Sequence, residues 1–205
     1  MSMRQPTSVT RRNIILRTLG DIPRIVSIMI NEGQEMGPRR ALEYTYDHLV
    51  RLLTGAPPER YSRITDAIHV GGQYTAGGFR RLQARGVSAV INLRDEFDNQ
   101  EAGIAPPRYL YLPTVDNTPP RMEDICAGIR MIREEVARGG QVYVHCMLGV
   151  GRSATLAAAY LVTEGQSAEE AWQTIRQRRP FIRPTGEQVA LVAQFAQDPS
   201  VCREI

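Results

Sequence analysis

The spacing of apolar residues changes near position 60. Before it they recur at helical intervals. Ile14, Ile15 and Leu19 share one stripe that Gly20 can end, and Ile25, Ile28 and Met29 resume it after Asp21, a candidate N-cap, and Pro23. Residues 38–53 repeat the pattern through Leu42, Thr45, Leu49 and Leu52, and the Pro57-Pro58 pair predicts its end. From Tyr61 strands and helices alternate. Strands are expected over 64–70, 87–93, 109–112 and 141–145, and helices over 75–86, 122–138, 152–164, 167–178 and 187–197. In the helix over 122–138, Ile125, Ile129, Ile132 and Val136 should face inward. The run VSAVINL (87–93) shows no polar alternation, as a strand covered on both faces would not. The expectation is an α/β domain over 61–198, with a central mixed, mostly parallel sheet of about four to five strands flanked by helices. A helical N-terminal extension (1–60) precedes it and a short tail (199–205) follows.

Composition narrows the classes. The 205 residues, 42% hydrophobic and 23% charged, suffice for one ordinary domain with an extension. No stretch reaches the ~18 apolar residues of a membrane span. The nearest, 13–30, is interrupted by Arg17, Asp21, Pro23 and Arg24 and lacks the cleavage site of a secretory leader. A soluble, cytoplasmic protein is expected. All 25 basic residues are arginine, which removes every mechanism built on a lysine: the P-loop ATPases, Schiff-base enzymes and protein kinases. Cys126, Cys146 and Cys202 are odd in number and widely spaced, so they read as thiols rather than a disulfide framework. His48, His69 and His145 form no metal-ligand pair, and neither metal nor cofactor is expected.

Net charge, +3 overall, is concentrated at the start. Residues 1–31 carry five arginines against Asp21 alone. Two uses fit that arm: the solvated face of a helix docked on the domain, or a peripheral contact with an anionic membrane surface. Nucleic acid is not expected, since no aromatics interleave the arginines.

The chemistry concentrates in residues 141–162, QVYVHCMLGVGRSATLAAAYLV. An apolar strand enters a glycine-bearing loop, Cys146 to Arg152, and the loop enters an Ala-rich helix. Such a turn directs successive N–H groups inward and adds the positive end of the helix dipole, making an anion nest. Gly149 and Gly151 permit the backbone conformations it needs. A cysteine at its mouth is expected to ionise below the ordinary thiol value of ~8.5. Arg152 offers a planar fork for two phosphate oxygens, and Ser153 a hydroxyl for the thiolate when it leaves. Met147, Leu148, Gly149, Val150, Gly151 and Arg152 would line the phosphate.

The string HCMLGVGRS resembles the HCxxGxxRS loop of cysteine-dependent phosphatases, in the dual-specificity branch of the protein tyrosine phosphatases. The resemblance extends over about 140 residues. It implies a cysteinyl-phosphate intermediate and a general acid on a loop about thirty residues upstream. Asp116, in LPTVDNTPP, stands there; Asp95, Glu123 and Asp124 are its rivals. It implies that His145 orders the loop, and that an Asn or Gln lies near the hydrolytic water. Thr185 stands where many relatives carry Asn, so Gln188 is the candidate, against a plain surface glutamine. Cys126 is either a packed thiol or a disulfide partner for an oxidised Cys146.

Met147, Leu148 and Val150 are apolar, which suits a phosphorylated protein better than a polyphosphorylated headgroup. Residues 92–98 (NLRDEFD) also resemble the phosphatidylglycerophosphate phosphatases, which keeps a lipid monoester as the alternative. Outside this chemistry, a non-catalytic phosphate-binding module and a sulfur-transfer domain remain; neither accounts for Arg152 together with Asp116.

Overall fold

Four strands, β1 (Ile68–Gly71), β2 (Val87–Arg94), β3 (Arg108–Thr114) and β4 (Gln141–His145), pair in the order β1-β4-β2-β3 in the computed structural model. The structure describes residues 37–203. Every pairing of the sheet is parallel, so the expected admixture of antiparallel strands reduces to one isolated bridge, Arg63 to His69, ahead of β1. Parallel neighbours require crossovers; a helix lies in the connections from β1 to β2 and from β3 to β4, whereas residues 95–107 join β2 to β3 without one. In chain order the helices are α1 (Pro38–Thr54), α2 (Glu59–Ser62), α3 (Ala76–Gln83), α4 (Met122–Ala137), α5 (Arg152–Thr163), α6 (Ala168–Arg178) and α7 (Gly186–Phe195), with a 3₁₀ turn at Pro199–Arg203. Packing divides the chain between Thr45 and Tyr46; residues from Tyr46 onward form the larger compact unit. The helical readings over 13–31 lie outside the described residues. Among the described residues no helix is long and apolar enough to cross a membrane.

β4 lies between β1 and β2, and Val142, Tyr143, Val144 and His145 are all fully buried. α5 covers it with Ala154, Ala157 and Ala158, small side chains that let a helix buried on all sides lie close to a sheet. α4 brings Ile125, Ile129 and Ile132 to the same core. A Cβ on its Gly128 would lie 2.7 Å from the methyl groups of Leu156, so a larger residue there would push that side chain aside.

Two expected faces are turned. Val136 is exposed, and Glu135 faces inward instead, accepting from Arg108 Nε (2.9 Å) and from Ser88. A paired carboxylate can be buried there because both donors come from strands beside it. On α1 the leucine stripe faces solvent: Leu49 is 51% and Leu53 76% exposed, while Asp47 is 1% exposed. The buried positions of that helix are Tyr44, Asp47 and His48 rather than the leucines.

The cysteine expectation is corrected. Cys126 of α4 is bonded to Cys202 across 76 residues, and Cys146 is the free, buried cysteine. Sequence spacing could not reveal this, because the 3₁₀ turn returns along α4. Cys126 therefore has its partner in Cys202 rather than in Cys146. A cross-link closing so long a loop restricts the unfolded chain. Cys202→Ser should cost about 2–4 kcal/mol in urea denaturation, and dithiothreitol should lower wild-type stability to match.

Candidate active site

Cys146 follows the last residue of β4, the central strand, at the C-terminal edge where parallel sheets present their loops. Its side chain is buried. The Gly149 N–H donates to Sγ at 3.2 Å, and the Ser153 hydroxyl lies 3.4 Å from it. Burial pushes this thiol up. The Arg152 charge, the Ser153 hydroxyl and the backbone N–H groups of Ser153 and Gly149 together outweigh burial and hold it below the ordinary thiol value. Gly149 adopts φ +74°, and a Cβ there would lie 2.3 Å from the Gly71 backbone at the end of β1. No other residue fits.

The loop carbonyls point outward. Met147 O accepts from Gln73 N at 3.0 Å and Val150 O from Arg183 N at 2.8 Å, which leaves the N–H edge to the thiol. Met147, Leu148 and Val150 are half-buried.

Arg152 opens α5 with its side chain 1% exposed. Nη1 donates to the carbonyls of Leu93 (3.4 Å) and Thr114 (2.8 Å), the ends of β2 and β3, and to Glu96 Oε2 at 2.9 Å. Nη2 donates to Glu96 Oε1 at 3.3 Å and pairs with Asp116 Oδ1 at 3.1 Å. Nε is buried without a hydrogen-bond partner. An unmade bond of that kind costs about 1–3 kcal/mol, and an incoming phosphoryl oxygen can make it.

Asp116, 61% exposed, stands on the loop after β3, beside Asn117 at φ +63°. Gln188 is not the surface glutamine that its helix suggested. It is 1% exposed and at the N3 position of α7, with Oε1 accepting from Thr185 N (3.0 Å) and Nε2 donating to Thr118 O (2.8 Å). Gln188 thus ties the Asp116 loop to α7. Thr185 is the N-cap of α7. Of the rival acids, Asp124 is held by Arg121 (2.9 Å) in the first turn of α4, away from Arg152.

His145 is fully buried. Asn99 Nδ2 donates to its Nε2 at 2.7 Å, which leaves Nδ1 to carry the proton toward Cys146 O at 3.2 Å. Asn99 is itself fixed by Gln73, whose Nε2 donates to Asn99 Oδ1 at 2.9 Å. Burial holds His145 at about 3, so it is a neutral strut at working pH.

The sequence reading named Asp95 only as a rival acid and gave Glu96 no role, and neither was expected beside Arg152. Glu96 spans the guanidinium. Burial pushes it up, but the Arg152 hydrogen bonds, its own backbone, Asp95 and the Arg94 charge bring it to about 2. Asp95, 3.5 Å from Nη1, is pushed the other way by its hydrogen bond with Glu96. Their position after β2 was visible; that β2 lies beside β4 was not.

The sequence profile of the family described as "Dual specificity phosphatase, catalytic domain" matches residues 68–198. Dual specificity protein phosphatase 1 of Mus musculus is 32% identical over 146 residues, 69% of this chain and 37% of that protein. Protein phosphatase Slingshot homolog 3 of the same organism is 31% identical over 137 residues, 65% of this chain and 20% of its own length. The chain therefore spans well under half of either relative. A crystal structure of PTPMT1 in complex with PI(5)P aligns with a TM-score of 0.62 and 29% identity, covering 70% of this chain and 97% of that one.

The opposing influences on Cys146 give a signed test. Its alkylation by iodoacetamide should rise with pH through a midpoint below ~8.5. Arg152→Met removes the main lowering charge and leaves burial, so the midpoint should move up past that value.

Proposed function

The chain belongs to the dual specificity phosphatase catalytic-domain family, and on that premise we propose that it hydrolyses phosphate monoesters through a cysteinyl-phosphate intermediate, with phosphotyrosine, phosphoserine and phosphothreonine of proteins as its substrates. One observation carries this reading. A buried thiol, held below its ordinary value, shares its loop with a buried arginine that keeps one donor unfilled. Phosphate oxygens take Arg152 Nε and the loop N–H groups, while Cys146 Sγ attacks phosphorus opposite the leaving oxygen. The S–P bond forms as the P–O ester bond breaks, and Asp116 in its acid form gives its proton to the leaving oxygen. Asp116, now a carboxylate, takes a proton from water; the water oxygen bonds to phosphorus and the S–P pair returns to Cys146 as thiolate. Ser153 Oγ, 3.4 Å away, donates to that thiolate. The nucleophile is the thiolate itself, so the scheme routes no step through a metal.

The choice of a phosphoprotein rests on the rim. Asp95, Glu96 and Asp116 surround Arg152 with three partly exposed carboxylates. They repel a second phosphate, as the apolar Met147, Leu148 and Val150 fail to attract one. The relatives named as protein phosphatases support the same class.

A different observation favours a lipid monoester. Tyr46, Leu49, Leu52 and Leu53 leave an apolar stripe exposed on α1, and an arginine-rich segment precedes it in the sequence. Such a helix can rest on an anionic membrane surface. The PTPMT1 structure holds PI(5)P.

Cys146→Ser should abolish turnover while orthovanadate still binds. Asp116→Asn should lower kcat by about 10²–10⁴; a loss under tenfold would move the acid to Asp95. Phosphate release in EDTA from a phosphotyrosine peptide, compared with phosphatidylglycerophosphate in anionic vesicles, decides between the substrates. The phosphoprotein reading expects the peptide to be preferred, and preference for the vesicles would overturn it.

A further inference from the structure

Arg179, the residue that ends α6, is fully buried with all five N–H donors in use. Nε donates to Gly149 O at 2.6 Å and Nη2 to Leu148 O at 2.9 Å. Both terminal nitrogens also grip Asp47, Nη1 to Oδ1 at 3.1 Å and Nη2 to Oδ2 at 3.2 Å, and Nη1 donates to Tyr61 O at 3.2 Å. The guanidinium lies 4.5 Å from the centre of the Phe181 ring. Asp47, on α1, is 1% exposed and stands 132 residues away in sequence.

The two carbonyls that Arg179 holds belong to the active loop. In a trans peptide the C=O and the following N–H point in opposite directions. Leu148 O and the Gly149 N–H share one peptide unit, and that N–H donates to Cys146 Sγ at 3.2 Å. The next unit has its Gly149 oxygen on Arg179, which sends the Val150 N–H the other way. Met147 O and Val150 O, at the loop's flanks, are held by main-chain N–H groups alone. Only the middle of the loop is held by a charge, and a guanidinium on a carbonyl also polarises the N–H at the far end of the unit.

We propose that the Asp47–Arg179 pair is a positioning device for the phosphate loop: Arg179 turns the Leu148 and Gly149 carbonyls outward, so that the N–H groups of those peptides face the thiolate and the phosphoryl group, and Asp47 aims the guanidinium. The inference rests on the phosphatase reading for its purpose but not for its geometry. It makes the second half of α1 part of the catalytic unit. It also gives the exposed stripe on the other side of α1 a route to the loop through one residue. Neither Arg179 nor Asp47 touches substrate.

Arg179→Lys keeps the charge without the fork, and Asp47→Asn keeps the shape without the charge. In the full-length chain, the pH dependence of Cys146 alkylation should shift upward by about one pH unit in Arg179→Lys, and in the same direction by less in Asp47→Asn. Inorganic phosphate should inhibit each more weakly, by about tenfold in the first. Ile132→Val, a core change remote from the loop, should lower thermal stability without moving the alkylation midpoint. A folded Arg179→Lys with the wild-type midpoint would overturn the proposal; should that variant fail to fold, an unmoved Asp47→Asn would do the same. Alkylation needs no turnover. A shifted midpoint in a protein that releases phosphate from no monoester would sustain the positioning role and remove the phosphatase reading instead.

Discussion

Holding a thiol below its ordinary value on a cysteine that is 3% exposed is the constraint around which this molecule is arranged. Desolvation alone would keep the thiol protonated. The loop from Cys146 to Gly151 opposes that pressure by ending a central parallel strand where a helix begins, so backbone donors and the Arg152 charge arrive together. The donors work only if they cannot turn away. That explains the fully buried β4, the Ala-rich α5 pressed on it, and a glycine at φ +74° against the end of β1. It also explains the care taken with the loop carbonyls, each of which meets a donor on the side away from sulfur.

Arg152 stands between two kinds of negative charge. On one side is Cys146 Sγ, where negative charge is favoured, and on the other are Glu96 and Asp116. Glu96 is held well below the usual carboxylate range and stays ionised, and with the carbonyls of Leu93 and Thr114 it fixes the guanidinium plane. Asp116 is the more exposed partner and the one on a proline-flanked loop, which makes it the contact a phosphate can replace. The buried, unfilled Nε gives phosphate somewhere to bind that neither carboxylate occupies. In the proposed reaction stability and reactivity are thus divided within one side chain: Nη1 holds the scaffold, while Nε and Nη2 would meet the substrate.

How much of this was legible in the sequence depends on distance along the chain. The loop was readable because its strand, nucleophile, glycines, arginine and helix are contiguous. The strands β2 and β4 were readable because burial on both faces removes polar alternation. Asp116 was readable only through its spacing to Cys146 in a resembling family. What failed to show were pairings made by topology. Glu96 meets Arg152 because β2 is the neighbour of β4, and strand order leaves no mark in the sequence. Asp47 meets Arg179, and Cys126 meets Cys202, over separations of 132 and 76 residues. The leucines of α1 misled for a related reason: periodicity identifies an apolar face, but the positions buried are those of Tyr44, Asp47 and His48. Gln188 looked like a surface residue because α7 is short and its inward positions carry a polar side chain among apolar ones.

The central claim is that phosphorus is bonded to Cys146 during turnover. Acid quenching of Asp116→Asn during reaction with a phosphotyrosine peptide, followed by mass spectrometry of the peptide containing Cys146, tests it most directly. The account predicts one added phosphoryl group on that cysteine, absent from Cys146→Ala treated in the same way. Phosphate release by the wild-type enzyme with no phosphoryl group found on Cys146, or with one found on another residue, would contradict it.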